Sequence, residues 1–334
     1  MKRLRVAGVG AGYFSQFHLQ GWRGIPEVEL AGWCDKDVSR VKGMPAYASM
    51  DEMLETAKPD LVDIVTPPET HLELVRAVAG RGLPVICQKP LAPTYEEALE
   101  VVEAAEQGGI LLVVHENFRW QPWYREARRF IEDNRLGRPH SVAFRLRPGD
   151  GQGPRAYLDR QPYFQKMGRF LVHETAIHWI DTFRFLLGEV KAVSASLRKM
   201  NPAIAGEDAG YIVFDFASGA TGLFDGNRLN DHVATNPRRT MGEMWLEGEA
   251  GVLRLDGDAR LWWKPHHGPE TEHRYDRGPD DAFGGGCCGA LQRHVVYGLI
   301  RKSEMENSGK AYLANLRIEE AVYRSSAEGR KVLL

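Results

Sequence analysis

Short apolar runs alternate with amphipathic stretches from the start of the chain to about residue 120. Runs rich in Val, Ile and Leu are typical of β-strands, and apolar positions three and four apart are typical of helices. Because the runs are apolar throughout, they predict a parallel sheet covered by helices on both faces. The predicted strands are Leu4–Val9, Val28–Cys34, Leu61–Val65, Val85–Cys87 and Ile110–His115, and the predicted helices are Ser15–Gly24, Met50–Ala57, Leu72–Ala79 and Ala98–Glu106.

The pattern changes after residue 120, where strands follow one another and several are separated only by tight polar or glycine turns. Such strands are typical of an antiparallel sheet. We therefore expect an α/β domain over residues 1–120 and a second domain over residues 121–334. The predicted strands there are Ser141–Leu146, Val190–Leu197, Ala209–Phe216, Ala220–Asp225, Met244–Glu247, Val252–Leu255 and Arg260–Lys264, and the predicted helices are Trp123–Asn134, Glu174–Leu187, Leu291–Ser303 and Leu313–Glu328.

The composition of the 334 residues, 43% hydrophobic and 26% charged, is that of an ordinary globular protein. The formal net charge of −2 provides no general attraction to nucleic acid or to an anionic membrane. Four cysteines are too few for a disulfide scaffold and predict a reduced, cytoplasmic protein. The basic segment Met1–Arg5 resembles the start of a signal peptide, but the glycine-rich segment behind it is only weakly apolar, so secretion is not expected.

A glycine-rich turn joins the first predicted strand to the first predicted helix. In the register that begins at Gly10, Gly12 is the second glycine, and the small residue Ser15 lies where the helix must approach the strand. The register that begins at Gly8 would place the bulky Tyr13 there, which is unfavourable. The turn therefore predicts a site where backbone N–H groups meet the pyrophosphate of a dinucleotide.

An acidic residue follows at the spacing that such a site needs. Asp35 lies 20 residues beyond Ser15, at the end of the second predicted strand. A carboxylate there accepts hydrogen bonds from the ribose hydroxyls of NAD and repels the 2′-phosphate of NADP. We therefore expect NAD, although Lys36 and Arg40 close behind could reduce that repulsion and leave NADP open.

Four short motifs then follow in a fixed order along the chain. They are Gly10-x-Gly12-x-x-Ser15-x-x-His18, Thr66-Pro67-Pro68-x-x-His71, Gln88-Lys89-Pro90 and Glu174-x-x-x-His178-x-x-Asp181. Together they resemble the glucose–fructose oxidoreductase, inositol dehydrogenase and rhizopine catabolism (Gfo/Idh/MocA) family over almost the whole chain. The resemblance implies an α/β Rossmann domain, followed by an α+β domain with a large, open, mostly antiparallel sheet. It also implies an NAD(P)-dependent oxidoreductase of sugars or polyols.

The motif match places Lys89 at the family's catalytic lysine position and His178 at its catalytic histidine position. We expect His178 to act as the base, because the pKa of histidine lies nearest the working pH. Glu174 lies four residues before His178 on the same helix face, where the family usually has Asp. Gln88 replaces the family's usual Glu and so removes a negative charge beside Lys89.

Polar and aromatic residues after the last parallel strand suit a sugar, and Asp181 is expected to hold His178 or Arg184. His173 and Glu174 followed by His178 do not match the HExxH zinc pattern, so no catalytic metal is expected. The residues expected at the cofactor are Gly10, Gly12, Tyr13, Phe14, Asp35, Thr66, Pro67, His71, Gln88, Lys89 and Asn117. Those expected at the substrate are Lys89, Arg119, Trp120, Tyr157, His173, Glu174 and His178, with Trp123, Tyr163 and Arg228 as weaker candidates.

The expected function is an NAD-dependent dehydrogenase of a small free sugar. The segments at 87–90 and 174–181 resemble the branch of the family that includes the D-apiose dehydrogenases, which implies oxidation of D-apiose or a similar aldose to its lactone. Two alternatives remain open: an oxidoreductase or glycosidase that holds and recycles NAD, and a non-catalytic dinucleotide-binding regulator. Because the strands over Ala209–Asp225 carry apolar residues on both faces, a homodimer or homotetramer is also expected.

Overall fold

The apolar runs of the first half of the chain pair side by side in one parallel sheet. The computed structural model describes residues 3–334, so Met1 and Lys2, which open the basic N-terminal segment, lie outside the described residues. The strands are β1 (Leu4–Val9), β2 (Val28–Cys34), β3 (Ala46–Tyr47), β4 (Leu61–Ile64), β5 (Val85–Gln88) and β6 (Leu112–His115). Their order, β3-β2-β1-β4-β5-β6, is that of doubly wound dinucleotide-binding folds.

Four helices connect these strands, and their apolar stripes are buried. Val75 and Val78, three residues apart, have no exposed surface, as the helical spacing predicts. The side chain of Thr94 accepts a hydrogen bond from the backbone N–H of Glu97 at 3.2 Å, which caps the last of the four. The helices are α1 (Ser15–Arg23), α2 (Met50–Ala57), α3 (His71–Ala79) and α4 (Tyr95–Gln107).

The second half of the chain forms a larger mixed sheet. Its strands are β7 (Pro139–Leu146), β8 (Val190–Arg198), β9 (Ala209–Phe216), β10 (Thr221–Asn227), β11 (Gly242–Gly248), β12 (Gly251–Leu255), β13 (Leu261–Pro265), β14 (Thr271–His273) and β15 (Val332–Leu333). Within residues 3–334 these nine strands run in the order β14-β13-β12-β11-β7-β10-β9-β8-β15. Only the β7–β10 pair among them is parallel. The predicted fold class, a Rossmann domain followed by a mostly antiparallel α+β domain, is confirmed.

Aromatic side chains fill the space between this sheet and helix α6 (Ile177–Leu187), which follows α5 (Pro122–Glu132). The ring of Trp179 lies 4.3 Å from Phe144 and 5.5 Å from Phe224, and Phe183 lies 5.7 Å from Phe214. All five are fully buried. Large rings dominate the apolar area of such a core, so α6 is held firmly against the inner face of the sheet.

The helix predicted over Glu174–Leu187 begins earlier and is not uniform. Leu171–Ala176 forms a π-helical turn, and only from Ile177 does the chain continue as an α-helix. The carboxylate of Glu207 accepts from the backbone N–H groups of Phe170 and Val172, each at 3.1 Å, and so holds the start of the wide turn. Such turns are frequent at functional sites.

The chain divides into two compact units. The first unit comprises the residues up to Asn117 together with Gly286–Ala314, and the second comprises Phe118–Gly285 together with Asn315–Leu334. Helix α7 (Cys287–Arg301), which the sequence pattern assigned to the second domain, therefore lies in the first unit. Helix α8 (Gly309–Glu328) contains the second division point.

Helix α7 belongs to the first unit because it packs closely against α1. A Cβ atom at Gly21 of α1 would lie 2.1 Å from Oε1 of Gln292 and 2.8 Å from the backbone nitrogen of Gly289. The helix also begins at Cys287, four residues before the start predicted at Leu291. No helix among residues 3–334 has both the length and the apolar character needed to cross a bilayer.

Candidate active site

The turn between β1 and α1 is shaped by two glycines with different roles. Gly10 has a φ of +100°, and a Cβ there would lie 2.5 Å from the carbonyl oxygen of Val65, so only glycine fits. At Gly12 a Cβ would meet nothing within 4 Å, which leaves the backbone of the turn open to a ligand. Ser15 begins α1, is buried and donates from Oγ to the carbonyl of Gly12 at 2.7 Å. This is the register that begins at Gly10.

Asp35 is fixed against this turn from the end of β2. Its Oδ2 accepts from the backbone N–H of Ala11 at 2.6 Å, and its Oδ1 accepts from the N–H of Asp37 at 2.9 Å. Arg40 pairs with Asp37 at 3.3 Å, so its charge is already engaged by a carboxylate. The open glycine turn and the anchored carboxylate fit a dinucleotide whose ribose has free hydroxyls, as in NAD.

Two aromatic residues of the turn differ in exposure. Tyr13 is 40% exposed, and its ring meets that of Phe17 edge-on at 5.7 Å. Phe14 is half-buried and packs on Phe17 at 5.1 Å and on His18 at 5.7 Å. Of the two, Tyr13 has more of its surface open to a cofactor.

The loops after β4 and β5 are tied together by a histidine. His71 is fully buried, with Nδ1 3.0 Å from the carbonyl of Leu91 and Nε2 2.9 Å from the carbonyl of Thr66. Burial lowers the pKa of His71, and the neutral ring carries a single N–H, so it donates to one of these two carbonyls at a time. Pro67 is exposed on the first loop, and Lys89 is half-buried on the second. His71 thus positions the loops that carry Thr66 and Lys89.

Asn117 and Gln88, both expected at the cofactor, make contacts inside the first unit. Asn117 is buried and donates from Nδ2 to Sγ of Cys288 at 3.2 Å. Gln88 is also buried, and its Oε1 accepts from the backbone N–H of Lys89 at 2.7 Å. These contacts give both side chains a structural role at the carboxyl edge of the sheet.

In the second unit, His178 lies on α6 and stacks on Phe118. The two ring centroids are 3.8 Å apart, the planes differ by 3°, and His178 is 6% exposed. The stack fixes the plane of the imidazole. Glu174 lies in the π-helical turn just before α6 and is half-buried. The wide turn, rather than a continuous α-helix, sets the offset between Glu174 and His178.

Arg119 and Asp181 form a two-bond ion pair in the second unit. Nε and Nη2 of Arg119 donate to the two carboxylate oxygens of Asp181 at 2.7 and 2.6 Å. Asn315 donates to Asp181 at 2.7 Å and accepts from Arg184 at 2.6 Å, so Arg184 joins the network through Asn315. Trp120 is buried and lies under the guanidinium of Arg125, 4.5 Å from its ring centroid.

A second buried ion pair surrounds Arg228. Its guanidinium donates to both oxygens of Asp150, the shortest bond being 2.8 Å, and to Thr175 at 2.6 Å. Tyr157 donates to Asp150 at 3.3 Å, and Arg160 donates at 3.1 Å. The sequence reasoning missed Asp150, whose only signal is a charged residue in the glycine-rich segment 149–153. The partners of Arg228 and Tyr157 here are protein groups.

The charge of Glu174 contributes to the pKa shifts of two weaker substrate candidates, Tyr163 and Arg228. Burial raises the pKa of Tyr163, and the nearby charge of Glu174 raises it further. Burial opposes the charge of Arg228, but its pKa is raised overall by Asp150, Tyr157 and, to a smaller extent, Glu174. Tyr163 is 53% exposed. The hydroxyl of Tyr163 also accepts from Nε2 of Gln161 at 2.9 Å, which leaves its own proton to donate.

His173 is held by a carboxylate. Its Nδ1 lies 2.7 Å from Oε1 of Glu319, and its backbone N–H donates to Tyr323 at 3.3 Å. Trp123, another weaker candidate, is fully buried. Among residues 3–334, no group of three or more His, Cys, Asp or Glu side chains is arranged to hold a metal ion.

Comparison with known proteins identifies the family. Residues 4–116 match the oxidoreductase family with an NAD-binding Rossmann fold, and residues 124–254 match the GFO/IDH/MocA C-terminal domain. The chain is 34% identical to a D-apiose dehydrogenase of Paraburkholderia graminis, over 100% of this chain and 90% of that protein. The chain belongs to the Gfo/Idh/MocA family of oxidoreductases.

Two further relatives cover nearly the full length of this Gfo/Idh/MocA protein. A D-apiose dehydrogenase of Rhizobium rhizogenes is 30% identical over 99% of this chain and 98% of that protein. An oxidoreductase from Agrobacterium radiobacter, solved with NAD+, L-tartaric acid and magnesium, has a TM-score of 0.90 at 29% identity, covering 99% of this chain and 98% of its own. The predicted family and the NAD-binding fold are confirmed.

Replacing Asp35 in this Gfo/Idh/MocA protein will change the cofactor preference. We expect Asp35→Ser to lower kcat/KM for NAD roughly 10- to 100-fold, because a charge-assisted hydrogen bond to the ribose is lost. The value for NADP will fall less or will rise, because the carboxylate no longer repels the 2′-phosphate. Steady-state kinetics with both cofactors measure the ratio. Asp51→Ala, which removes an exposed carboxylate of the same unit, is the control; an unchanged ratio in Asp35→Ser would contradict the assignment.

Proposed function

We propose that this protein is an NAD-dependent dehydrogenase that oxidises one hydroxyl group of a small sugar. The observation that carries the proposal lies at the carboxyl edge of the parallel sheet. There the open glycine turn is anchored by Asp35, and Lys89 follows β5 on a loop tied by His71. Open α/β sheets bind their ligands at this edge. The full-length similarity to two D-apiose dehydrogenases supports a sugar as the substrate.

D-Apiose, or an aldose of similar size, is the most specific substrate that we propose. The support is the 34% and 30% identity to the two curated D-apiose dehydrogenases. Oxidation at the anomeric carbon of such a sugar produces a lactone. In the second unit, the half-buried Glu174 offers an acceptor and the exposed Tyr163 offers a donor, both suited to sugar hydroxyls.

The proposed chemistry divides between a hydride and a proton. Bound NAD supplies the acceptor for the hydride that leaves the carbinol carbon. Lys89 orients the reacting hydroxyl and stabilises the negative charge that develops on its oxygen. His178 takes up the hydroxyl proton, and its stack on Phe118 holds the imidazole in one plane. Glu174, in the π-helical turn before α6, binds a further hydroxyl.

The proposal is tested by following nicotinamide reduction with NAD and then NADP across aldoses, apiose, inositols and polyols. Turnover of one small sugar with NAD is the expected result. Failure to reduce added NAD with any of them, while cofactor remains bound through gel filtration, would instead indicate a recycled, tightly held cofactor. Dinucleotide binding without either behaviour would indicate a regulator.

Removal of the Lys89 side chain will slow the chemical step. We expect Lys89→Ala to lower kcat by roughly 10²-fold or more, the usual contribution of a positioned acid–base group, with little change in the dissociation constant for NAD. Stopped-flow turnover and titration calorimetry separate the two effects. Lys42→Ala removes an exposed lysine of the same unit and should behave as the wild type. Turnover of Lys89→Ala near the wild-type rate would refute the role.

His178 will determine how turnover depends on pH. We expect His178→Asn to lower kcat by about 10²- to 10⁴-fold and to remove one ionisation from the acid side of the kcat profile, because an imidazole at position 178 then no longer has to be deprotonated. The matched control is His140→Asn, since His140 is exposed on β7. A variant that keeps the wild-type pH profile would show that another group accepts the proton.

We also propose that the outer face of the larger sheet pairs with a second copy of the chain. Val213, Leu223, Ala143 and Trp245 lie directly across from one another on four adjacent strands. Leu223 is 38% exposed and the others are partly buried in the single chain. A contiguous apolar row of this kind on a sheet face is typical of an interface.

Charge placed in this row will dissociate the oligomer. We expect Leu223→Glu to convert a dimer or tetramer to a smaller species, because its carboxylate would be buried without a partner. Light scattering at micromolar concentration measures the mass. Val233→Glu, at a residue 90% exposed elsewhere in the same unit, is the control. A wild-type monomer would contradict the proposal.

A further inference from the structure

A buried network of hydrogen-bonded side chains in the first unit has no role in the proposed reaction. His18 on α1 and Asp63 on β4 are fully buried, and Gln88 at the end of β5 is 8% exposed. Oδ2 of Asp63 lies 2.8 Å from Nδ1 of His18 and accepts from the indole N–H of Trp22 at 2.6 Å. Burying a carboxylate is costly unless donors surround it, so Asp63 requires the proton on Nδ1 of His18.

At its other end, this hydrogen-bond network contacts the backbone of Lys89. Oε1 of Gln88 accepts from the N–H of Lys89 at 2.7 Å, and this bond determines which way the amide points. Nε2 of Gln88 is then 3.4 Å from Nε2 of His18. An amide nitrogen can only donate, so the arrangement needs His18 to be neutral, with Nε2 unprotonated.

We propose that Asp63, His18 and Gln88 are positioning residues for Lys89, and that they hold it only while His18 is neutral. The proposal rests on the proposed function, in which Lys89 acts on the substrate. When Nε2 of His18 takes up a proton, two donors face each other, and the amide of Gln88 must turn its oxygen towards His18. The N–H of Lys89 then faces an amide nitrogen and loses its acceptor, so the lysine is displaced.

The groups that face His18 set where this change occurs. They are Asp63 on β4, the ring of His115 on β6, stacked at 3.8 Å, and Cys288 on α7. Burial lowers the pKa of His18, but Asp63 and, less strongly, Cys288 raise it, and the pKa lies above 6.5 overall. Burial, with a contribution from His18, keeps the pKa of His115 well below 6.5, so His115 remains neutral. Lys89 is therefore held above the pKa of His18 and released as the pH falls below it.

Two variants of Gln88 separate the roles of its oxygen and its nitrogen. In Gln88→Glu, the carboxylate can accept from the N–H of Lys89 and from a protonated His18 at the same time, so protonation no longer releases Lys89. Gln88→Met keeps the length of the side chain but offers neither a donor nor a strong acceptor. In Gln88→Met, the side chain of residue 88 therefore offers the N–H of Lys89 no acceptor at any pH.

The first experiment reads the proton on His18 without any substrate. The ring nitrogens of ¹⁵N-histidine-labelled protein are observed by NMR at pH 8, and His18→Asn identifies the signal by its loss. We expect the wild type to show neutral His18 protonated on Nδ1, and Gln88→Glu to show a charged ring at the same pH. A charged His18 in the wild type, or the same neutral ring in Gln88→Glu, would overturn the proposal.

The second experiment measures kcat and KM from pH 5.5 to 8.5. We expect wild-type kcat to fall with two ionisations on the acid side and that of Gln88→Glu to fall with one. Gln88→Met should lose up to about 10²-fold in kcat at all pH values, as for a slightly misplaced catalytic group, with KM for NAD within about twofold if only Lys89 is displaced. Identical acid limbs in the wild type and Gln88→Glu would contradict the role.

Asp63→Asn supplies an independent test if Gln88→Glu does not fold. It removes the charge that favours protonation of His18, so the wild-type acid limb should move to lower pH; an unmoved limb would contradict the proposal. Lys89→Ala distinguishes failure of the proposed function from failure of the positioning proposal. If that variant remains active while NMR shows the expected state of His18, the proposed role of Lys89 fails but the hydrogen bonds among Asp63, His18 and Gln88 stand. If Lys89→Ala is inactive while NMR shows a charged His18 in the wild type, only the positioning proposal fails.

Discussion

The shared direction of the six strands in the first sheet is the constraint on which the candidate site depends. Because all the strands are parallel, every segment that leaves a carboxyl end turns at the same edge. The packing at that edge is so close that Gly10 admits no Cβ against the carbonyl of Val65. That closeness brings Asp35 to the N–H of Ala11 and allows His71 to tie two loops. Cofactor binding and the placement of Lys89 are consequences of one packing arrangement.

The second unit is organised by buried charges that have protein partners. The pairs Arg119–Asp181 and Arg228–Asp150 are largely shielded from water. Removing one member of such a pair leaves an uncompensated charge, which is strongly destabilising. These arginines therefore stabilise the segments on either side of α6 and its π-helical turn. Glu174 and Tyr163, which are more open, are better placed to meet a ligand.

In the first unit, the amide of Gln88 links a buried charge to the packing at the carboxyl edge of the sheet. A glutamine offers one donor and one acceptor in fixed positions, whereas a glutamate offers acceptors only. With Gln88, the proton on His18 becomes part of the support of Lys89, because the amide cannot satisfy both neighbours in both protonation states. A single substitution relative to the family pattern thus changes which charge state of a buried histidine the fold requires.

The sequence by itself determined the fold class, the glycine turn with Asp35, and the family motifs. Periodicity, glycine positions and short spacings are local properties, and each restricts the backbone where it occurs. The tertiary structure decided the rest. It placed α7 in the first unit, paired Arg119 with Asp181 and joined His18 to Asp63 across 45 residues. Such partners are chosen by burial, since a charge removed from water must find an opposite charge or donor wherever the fold provides one, and no local pattern records which residue that is.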